Sequence, residues 1–374
     1  MRFSLRSLVS KVFNIALYCL WLVSALILIS PFISPSTWWV TALLPTFIPL
    51  VVLANVVISL YAYFTKSLKK YFVSIVLSAV SIFFVLSVFS VNGLFGKKEP
   101  NPLKVLSFNV SFFHTRGDYS EAYEDPKLNQ PAVKMVDWLD DVDADIICLQ
   151  EFYNDDASGI FNSIEKIARD GLYQYSFINN PQVIKERKRG LITFSKYPIV
   201  GGEEIFLDDN RYNGASYVDI VIDRDTIRVF NVHLQSAEFT SMNAGKVKNQ
   251  RGWTGLVAEI LTRLKSTAVK REQQMNQVLE AINNSPYEVL VCGDFNATPN
   301  TFVYRKIRRN LNNAYGAAGV GLGATYTQAM PLPVRIDNQF YSDGFKAQQF
   351  NINREIDYSD HYPIMTHYQM KDDN

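Results

Sequence analysis

The first 96 residues contain no aspartate and no glutamate. Their only charged side chains are Arg2, Arg6, Lys11, Lys66, Lys69 and Lys70. A stretch this long, this apolar and this poor in charge is not the surface of a soluble domain. Cysteine is scarce as well. Three residues in 374 make no disulfide framework. Cys19 sits in an apolar run, and Cys148 and Cys292 sit in short strand-like runs, where a thiol behaves as a small hydrophobe rather than a nucleophile. No internal repeat is present.

All 36 acidic residues lie beyond residue 96, together with 31 of the 37 basic ones. The C-terminal part is therefore net acidic although the whole chain carries +1. An acidic domain is a poor electrostatic match for a phosphate polymer, since non-specific nucleic-acid binding rests on Lys and Arg. A bound divalent cation offsets part of that charge locally.

From Val12 to Thr65 no side chain is charged, which leaves room for two helical spans of about 20 residues each. Pro31 and Pro35 break the run, so spans are expected at 13–33 and 39–64, with a third at 71–95. Trp38 and Trp39 beside the first break suit a membrane interface. A signal peptide with Arg2, Arg6 and Lys11 as its basic region accounts for the first run and leaves two more unexplained. The organisation expected is a membrane anchor over 1–96, a linker over 97–103 and a catalytic domain over 104–374. Basic residues fall in the N-terminal tail and in the 66–70 link, and none falls between the first two spans. By the positive-inside rule both basic segments are cytoplasmic. The expectation is a multi-pass protein of the inner membrane with its catalytic domain outside the cytoplasm.

Beyond the linker, strand-like runs alternate with helical stretches, the pattern of an α/β fold. Strands read at 105–110, 145–151, 175–178, 190–195, 216–222, 227–235 and 288–296. Met275, Val278, Leu279 and Ile282 at i, i+3, i+4, i+7 predict a helix over 272–284, and a second helix is expected around 132–139. Segment 236–270 reads as an inserted helical arm near the site mouth, and 310–325 as a Gly/Ala-rich loop.

Residues able to bind metal or move protons recur at the C-terminal ends of these apolar strands. VLSFN ends on Asn109 and IICLQE on Glu151. Asn231 and His233 are two apart near the end of one strand, and Asp294 and Asn296 are two apart at the end of another, so each pair shares a face. The chain then closes with Arg335-Ile336-Asp337 and Ser359-Asp360-His361. Asn or Asp at one strand end is ordinarily a turn former. Six such motifs in order are not explained by turns. A strand end is rigid and opens into the loop layer, where several strands can hold one ligand.

This ordered set, Asn109, LQE to Glu151, NVH to His233, GDFN to Asn296 and SDH to His361, resembles the endonuclease/exonuclease/phosphatase (DNase I-like) superfamily, in a membrane-anchored bacterial form. The resemblance covers about 104–369 and implies a four-layer α/β/β/α sandwich, here preceded by three transmembrane helices. It implies Mg²⁺, with Mn²⁺ an alternative, held by Asn109 and Glu151 with Asp294 and Asp360 as further metal residues. Hard cations of this kind take oxygen ligands and keep several waters. The catalytic set it implies is His233, Asp294, Asn296, Asp337 and His361. His361 prepares or orients the attacking water and Asp337 orients His361. Asp294 positions the nucleophile or a second cation, and Asp360 either neighbours the metal or supports the final loop. Asn231, His233 and Asn296 are the expected substrate-binding residues, His233 donating to the phosphate. The family commonly has an aromatic residue after its Arg-Ile-Asp element, and this chain has Asn338.

The function expected is metal-dependent hydrolysis of a phosphate ester, small or lipid-linked, outside the cytoplasm. A nuclease acting on extracellular DNA or RNA is the alternative, and a non-catalytic membrane scaffold the third. The basic clusters 185–189 and 305–309 read as solvated surface or as contacts to anionic lipid head groups. Choice among substrates falls to loops such as 236–270 and 310–334.

Overall fold

The computed structural model describes residues 5–371 apart from 86, 97, 115–124, 128, 169–171, 180–186, 209–212, 237–243 and 329–333. The chain opens with α1 (Leu5–Ile29), α2 (Ile48–Phe64) and α3 (Phe72–Val85). It continues through β1 (Phe89–Ser90), β2 (Leu103–Asn109), α4 (Gln130–Asp141), β3 (Ile146–Asp155), α5 (Ser163–Ala168), β4 (Tyr175–Ile178), β5 (Arg187–Ser195) and β6 (Ile199–Leu207). Next come β7 (Gly214–Ile222), β8 (Asp225–His233), α6 (Ala244–Asn283), β9 (Glu288–Asp294), α7 (Phe302–Arg308), β10 (Asn312–Asn313), α8 (Ala314–Ala318) and β11 (Gly321–Leu322). The last strands are β12 (Asp337–Tyr341), β13 (Phe345–Ile352) and β14 (Ile364–Met370).

Among the described residues, two helices are long and apolar enough to cross a membrane, over Lys11–Phe32 and Leu44–Phe64. The third expected span is different. Its helix has 14 residues, about 21 Å at 1.5 Å per residue, short of the ~30 Å hydrocarbon layer. Beyond it the chain packs on the C-terminal half instead of continuing as helix. Asn300 Nδ2 donates to Ser87 Oγ (2.7 Å) and to Phe84 O, and β1 pairs with β11. Tyr315 Oη donates to Val88 O, and Gly93 N donates to Gly319 O. The segment after α3 is thus held on the C-terminal half, and farther on Glu99 N donates to Gln348 Oε1.

Two six-stranded sheets stack face to face, in the orders β13-β14-β2-β3-β5-β4 and β10-β12-β9-β8-β7-β6. Alternation along each strand sets the layers. Val105, Ile146 and Cys148 face Val229, Leu290 and Cys292 between the sheets. Leu106, Phe108, Ile147 and Leu149 face outward onto α4, whose Ala132, Met135, Val136 and Leu139 form its buried stripe. Phe230, Val232 and Val291 face the other way, onto Met275, Val278, Leu279 and Ile282 of α6 and onto α7. The result is four layers, α/β/β/α. The predicted helix over 272–284 is the end of the far longer α6.

The clusters read as surface are mostly engaged. Arg187 pairs with Asp155 (2.9 Å) and Lys188 with Asp156 (3.0 Å), while Arg305 stacks over the ring of Phe32, 3.8 Å from its centroid.

Buried amides join the sheets. Asn231 Nδ2 donates to Leu149 O and Ile192 O, each at 3.0 Å, and its Oδ1 accepts from Gln150 Nε2 at 2.8 Å. Gln339 Nε2 donates to Val105 O and Ile364 O, and its Oε1 accepts from Tyr368 Oη. Leaving one buried polar group unsatisfied costs about 1–3 kcal/mol. Asn231→Ala orphans several, so we expect a loss of about 2–3 kcal/mol, which lowers the unfolding midpoint of the detergent-solubilised chain by roughly 4–10 °C. An unchanged midpoint in a thermal melt would mean that Asn231 does not hold the sheets together.

Candidate active site

The parallel pairs β2–β3 and β8–β9 run their C-terminal ends to one pole of the sandwich, where β12 begins antiparallel to β9. In that register His233 is opposite Asp294, and Asp294 is opposite Asp337. Asn109 follows Val105 and Ser107 on the inward face of β2, so its side chain emerges between the sheets.

Glu151 arrives there by a different route. Strict alternation after Cys148 and Gln150 would send Glu151 outward to the helix layer. The register between β3 and β5 shifts between Leu149 and Phe152, and Glu151 takes φ +48°. This β-bulge adds one residue and re-aims a side chain. Phe152 is then back on the outer face beside Leu149. The strand does not end at Glu151, as expected, but runs on to Asp155.

Asp294 depends on the glycine before it. Gly293 has φ +146°, and a Cβ there would lie 1.8 Å from Val232 O, so only glycine lets β9 approach β8 this closely. Asp294 Oδ1 accepts from Asn296 N (2.8 Å), and Asn296, at φ +47°, points its amide back to Leu234 O (3.0 Å) and Asp294 Oδ2 (3.3 Å).

Asn109 Nδ2 donates to Glu151 Oε1 (3.3 Å) and Asp294 Oδ2 (3.2 Å). His233 Nε2 lies 3.6 Å from each of the same two carboxylates. His361 Nδ1 lies 2.9 Å and 3.1 Å from the carboxylate oxygens of Asp337, and its Nε2 lies 3.7 Å from Asp294 Oδ2. Asp294 is therefore the hinge between a Glu151–Asn109–His233 group and an Asp337–His361 pair.

The electrostatics follow from burial and crowding. Burial pushes the Glu151 carboxyl above its ordinary value, with the charges of His233 and His361 opposing. Asp337 is raised by burial too, again against His361. For His361 burial works downward, but Asp337, Asp294 and Asp360 outweigh it and hold the imidazole at about 10. Arg271 is depressed to about 10 by burial, against the pull of Asp294.

Of the expected residues, the structure brings together Asn109, Glu151, His233, Asp294, Asn296, Asp337 and His361. Two are elsewhere in their contacts. Asn231 is fully buried, and both ends of its amide are engaged by the facing sheet, so it is a cross-sheet tie rather than a substrate contact. Asp360 gives its carbonyl to Thr327 N and Oγ1 and its carboxylate to Ser359 Oγ, the contacts of a loop support, and none of these joins Glu151.

Several supporting residues had no signal in the sequence. Ser359 Oγ donates to Asn109 O at 2.7 Å and ties the last loop to the first strand end. Thr325 Oγ1 accepts from the backbone of Ile336 and Asp337, and Tyr326 bridges to His361 with ring centroids 5.0 Å apart. Thr325 and Tyr326 sit in a stretch with no periodicity to mark them. Asn338 is explained: its Oδ1 accepts from the guanidinium of the buried Arg335, which also reaches Ser87 O (2.7 Å).

The donor set suits a hard divalent cation. Glu151 and Asp294 are carboxylates bridged by one amide, in a site whose burial raises Glu151 and so penalises its uncompensated charge. The atoms of Asp294, Asp337 and His361 also lie within 4.8 Å of one another, but Asp337 and His361 already hold each other.

The family profile described as Endonuclease/Exonuclease/phosphatase family matches residues 106–361. No curated protein matches the chain. Among solved structures, an endonuclease/exonuclease/phosphatase from Beutenbergia cavernae is 16% identical over 72% of this chain and 72% of its own, with a TM-score of 0.49. One from Bacteroides vulgatus is 16% identical over 72% of this chain and 100% of its own, with a TM-score of 0.49. Sphingomyelinase C from Streptomyces griseocarneus is 17% identical over 71% and 99%, with a TM-score of 0.48.

Cation binding tests the Glu151 side directly. Glu151→Gln keeps the shape and removes a charge, so Mn²⁺ affinity read by paramagnetic resonance should fall at least about tenfold. Because the folded carboxyl is raised, wild-type affinity should climb as pH rises through that value and fall below it. Equal affinity in E151Q and wild type would remove Glu151 from the cation site.

Proposed function

Because the chain belongs to the endonuclease/exonuclease/phosphatase family, whose members hydrolyse phosphate esters, we propose that it is a membrane-anchored, divalent-cation-dependent phosphoesterase acting on a small or lipid-linked substrate outside the cytoplasm. The observation that carries the chemistry is the alignment of Asp337, His361 and Asp294. With Nδ1–H donated to Asp337, Nε2 of a neutral His361 is the acceptor, and it faces Asp294 across 3.7 Å. A water hydrogen-bonded between them is fixed in place, and His361 can take its proton or orient it. Three carboxylates favour the charged imidazole, and the positive charge of a bound cation would oppose them. His233 lies beside Asp294, where it can donate to a phosphoryl oxygen, while the Asn296 amide, given to Leu234 O and Asp294 Oδ2, holds Asp294 in position. Asn109 and Glu151 would hold Mg²⁺ or Mn²⁺, which when bound supplies charge neutralisation on the phosphoryl group.

The anchoring reading rests on the two long apolar helices and on what touches the loop between them. Ser34 Oγ donates to both carboxylate oxygens of Glu272 (2.7 and 2.8 Å), and Ser36 donates through N and Oγ. The C-terminal half therefore lies on the side of the uncharged loop, away from Lys66, Lys69 and Lys70. That supports an extracytoplasmic catalytic half under the positive-inside rule. An alkaline phosphatase fused after Asn374 should be active in cells and a fluorescent protein there dark. The opposite pair of results reverses the orientation and favours a nucleic-acid substrate.

The chemistry is tested by hydrolysis of an aryl phosphodiester, phosphatidylinositol phosphates, sphingomyelin and plasmid DNA by the purified chain. EDTA should abolish turnover and Mg²⁺ restore it. His361→Ala and Asp337→Asn should each cost at least about 10²-fold in kcat, and the double variant should cost little more than His361→Ala alone, because groups acting as one unit are not additive. Losses that multiply would show that the two act separately.

A further inference from the structure

Helix α6 exposes a run of large apolar side chains in its first half. In its first half Leu256, Ile260 and Leu264 are the half-buried side, yet Trp253, Val257 and Leu261 form a second stripe that is 66%, 51% and 46% exposed. Isolated exposed apolar residues are unremarkable, but a stripe at i, i+4, i+8 is a face.

The direction of that face can be read from the same helix. At 3.6 residues per turn Val257, Leu261, Ala268 and Glu272 fall within about 60° of one another. Glu272 is the residue that Ser34 and Ser36 hold, and α6 also packs along the 3-10 turn Trp39–Ala42. The face bearing the stripe is thus continuous with the contact to the loop that joins the two long apolar helices. Those helices expose Leu22, Leu50, Leu53 and Val57 on their own surfaces.

Charge points the same way. The C-terminal half is net acidic, but past the kink at Gly252 residues 253–270 hold Arg263, Lys265 and Lys270 against Glu259 alone. A basic helix with a Trp-bearing apolar face is the composition of a helix lying in a bilayer interface.

We propose that the first half of α6, from Trp253 to Leu261, lies in the interface of an anionic bilayer and is a second membrane contact beside the apolar helices. This rests on the anchoring reading above. The helix breaks at Gly252, where φ is +68°, so the contact begins as the chain leaves that kink. At its other end Arg271 Nε and Nη2 donate to Gln235 O, two residues past His233. Lipid contact on α6 therefore bears on the strand end that carries a site residue.

The test uses the full chain in nanodiscs of phosphatidylcholine and phosphatidylglycerol, with and without bromine on the acyl chains. Bromine near the interface should quench the difference between wild-type and Trp253→Phe fluorescence by about twofold or more. The joint variant Val257→Asp, Leu261→Asp should abolish that quenching and leave the quenching of Trp21, Trp38 and Trp39 intact. Replacing phosphatidylglycerol with phosphatidylcholine should weaken it. If the Trp253 signal is unquenched while the other three are quenched, the α6 contact is wrong and the anchor stands. If those three are unquenched too, the anchoring reading falls and takes this proposal with it.

Discussion

The site depends on amide side chains that cross between the two sheets. Asn231 reaches from β8 to the carbonyls of Leu149 and Ile192 and accepts from Gln150, at the place where β3 bulges. A bulge leaves carbonyls without ladder partners, and burying them unpaired is costly. The amide supplies those partners. The bulge in turn is what swings Glu151 from the helix layer to the pole of the sandwich. A tie that resembles packing thus decides where the Glu151 carboxylate points, and the same low dielectric that strengthens it makes its loss expensive.

A second consequence is that the pole is assembled by register rather than by loops. Asp294 is paired with His233 on one side and Asp337 on the other, so three site residues share one hydrogen-bonded row. Strands hold such a row more tightly than loops do. Gly293 is the residue without which the row cannot close, because any side chain there would collide with Val232 O. The final loop brings His361 to this row and is itself pinned to the first strand end through Ser359 and Asn109.

Among the described residues, the apolar N-terminal segment is tied to the C-terminal half both after α1 and after α3. The turn after α1 is held by Glu272 of α6, and the segment after α3 is held by Asn300, Arg335 and β11. Arg335 is two residues from Asp337 and gives hydrogen bonds to Ser87 O and Asn338. The element that orients His361 is thus packed against the end of the apolar helices. Between α3 and β2 the chain is docked along that half.

By itself the sequence determined the elements whose evidence is periodic or local. The apolar runs of α1 and α2, the buried stripes of α4 and of the end of α6, and the strand ends bearing Asn109, His233 and Asp294 all follow from repeats of 3.6 or 2 along one segment. What depends on a partner far along the chain was decided only by the tertiary structure. The early end of α3 follows from its docking on Asn300 and β11, not from its own hydropathy. The strand β12 is polar at Asn338 and Gln339 because both amides find buried partners, so no alternation announces it. Glu151 turns inward, and Asn231 turns away from the site, because of one bulge and the bonds that cover it. A side chain's identity is local, but the hydrogen-bond partner that fixes its direction is not.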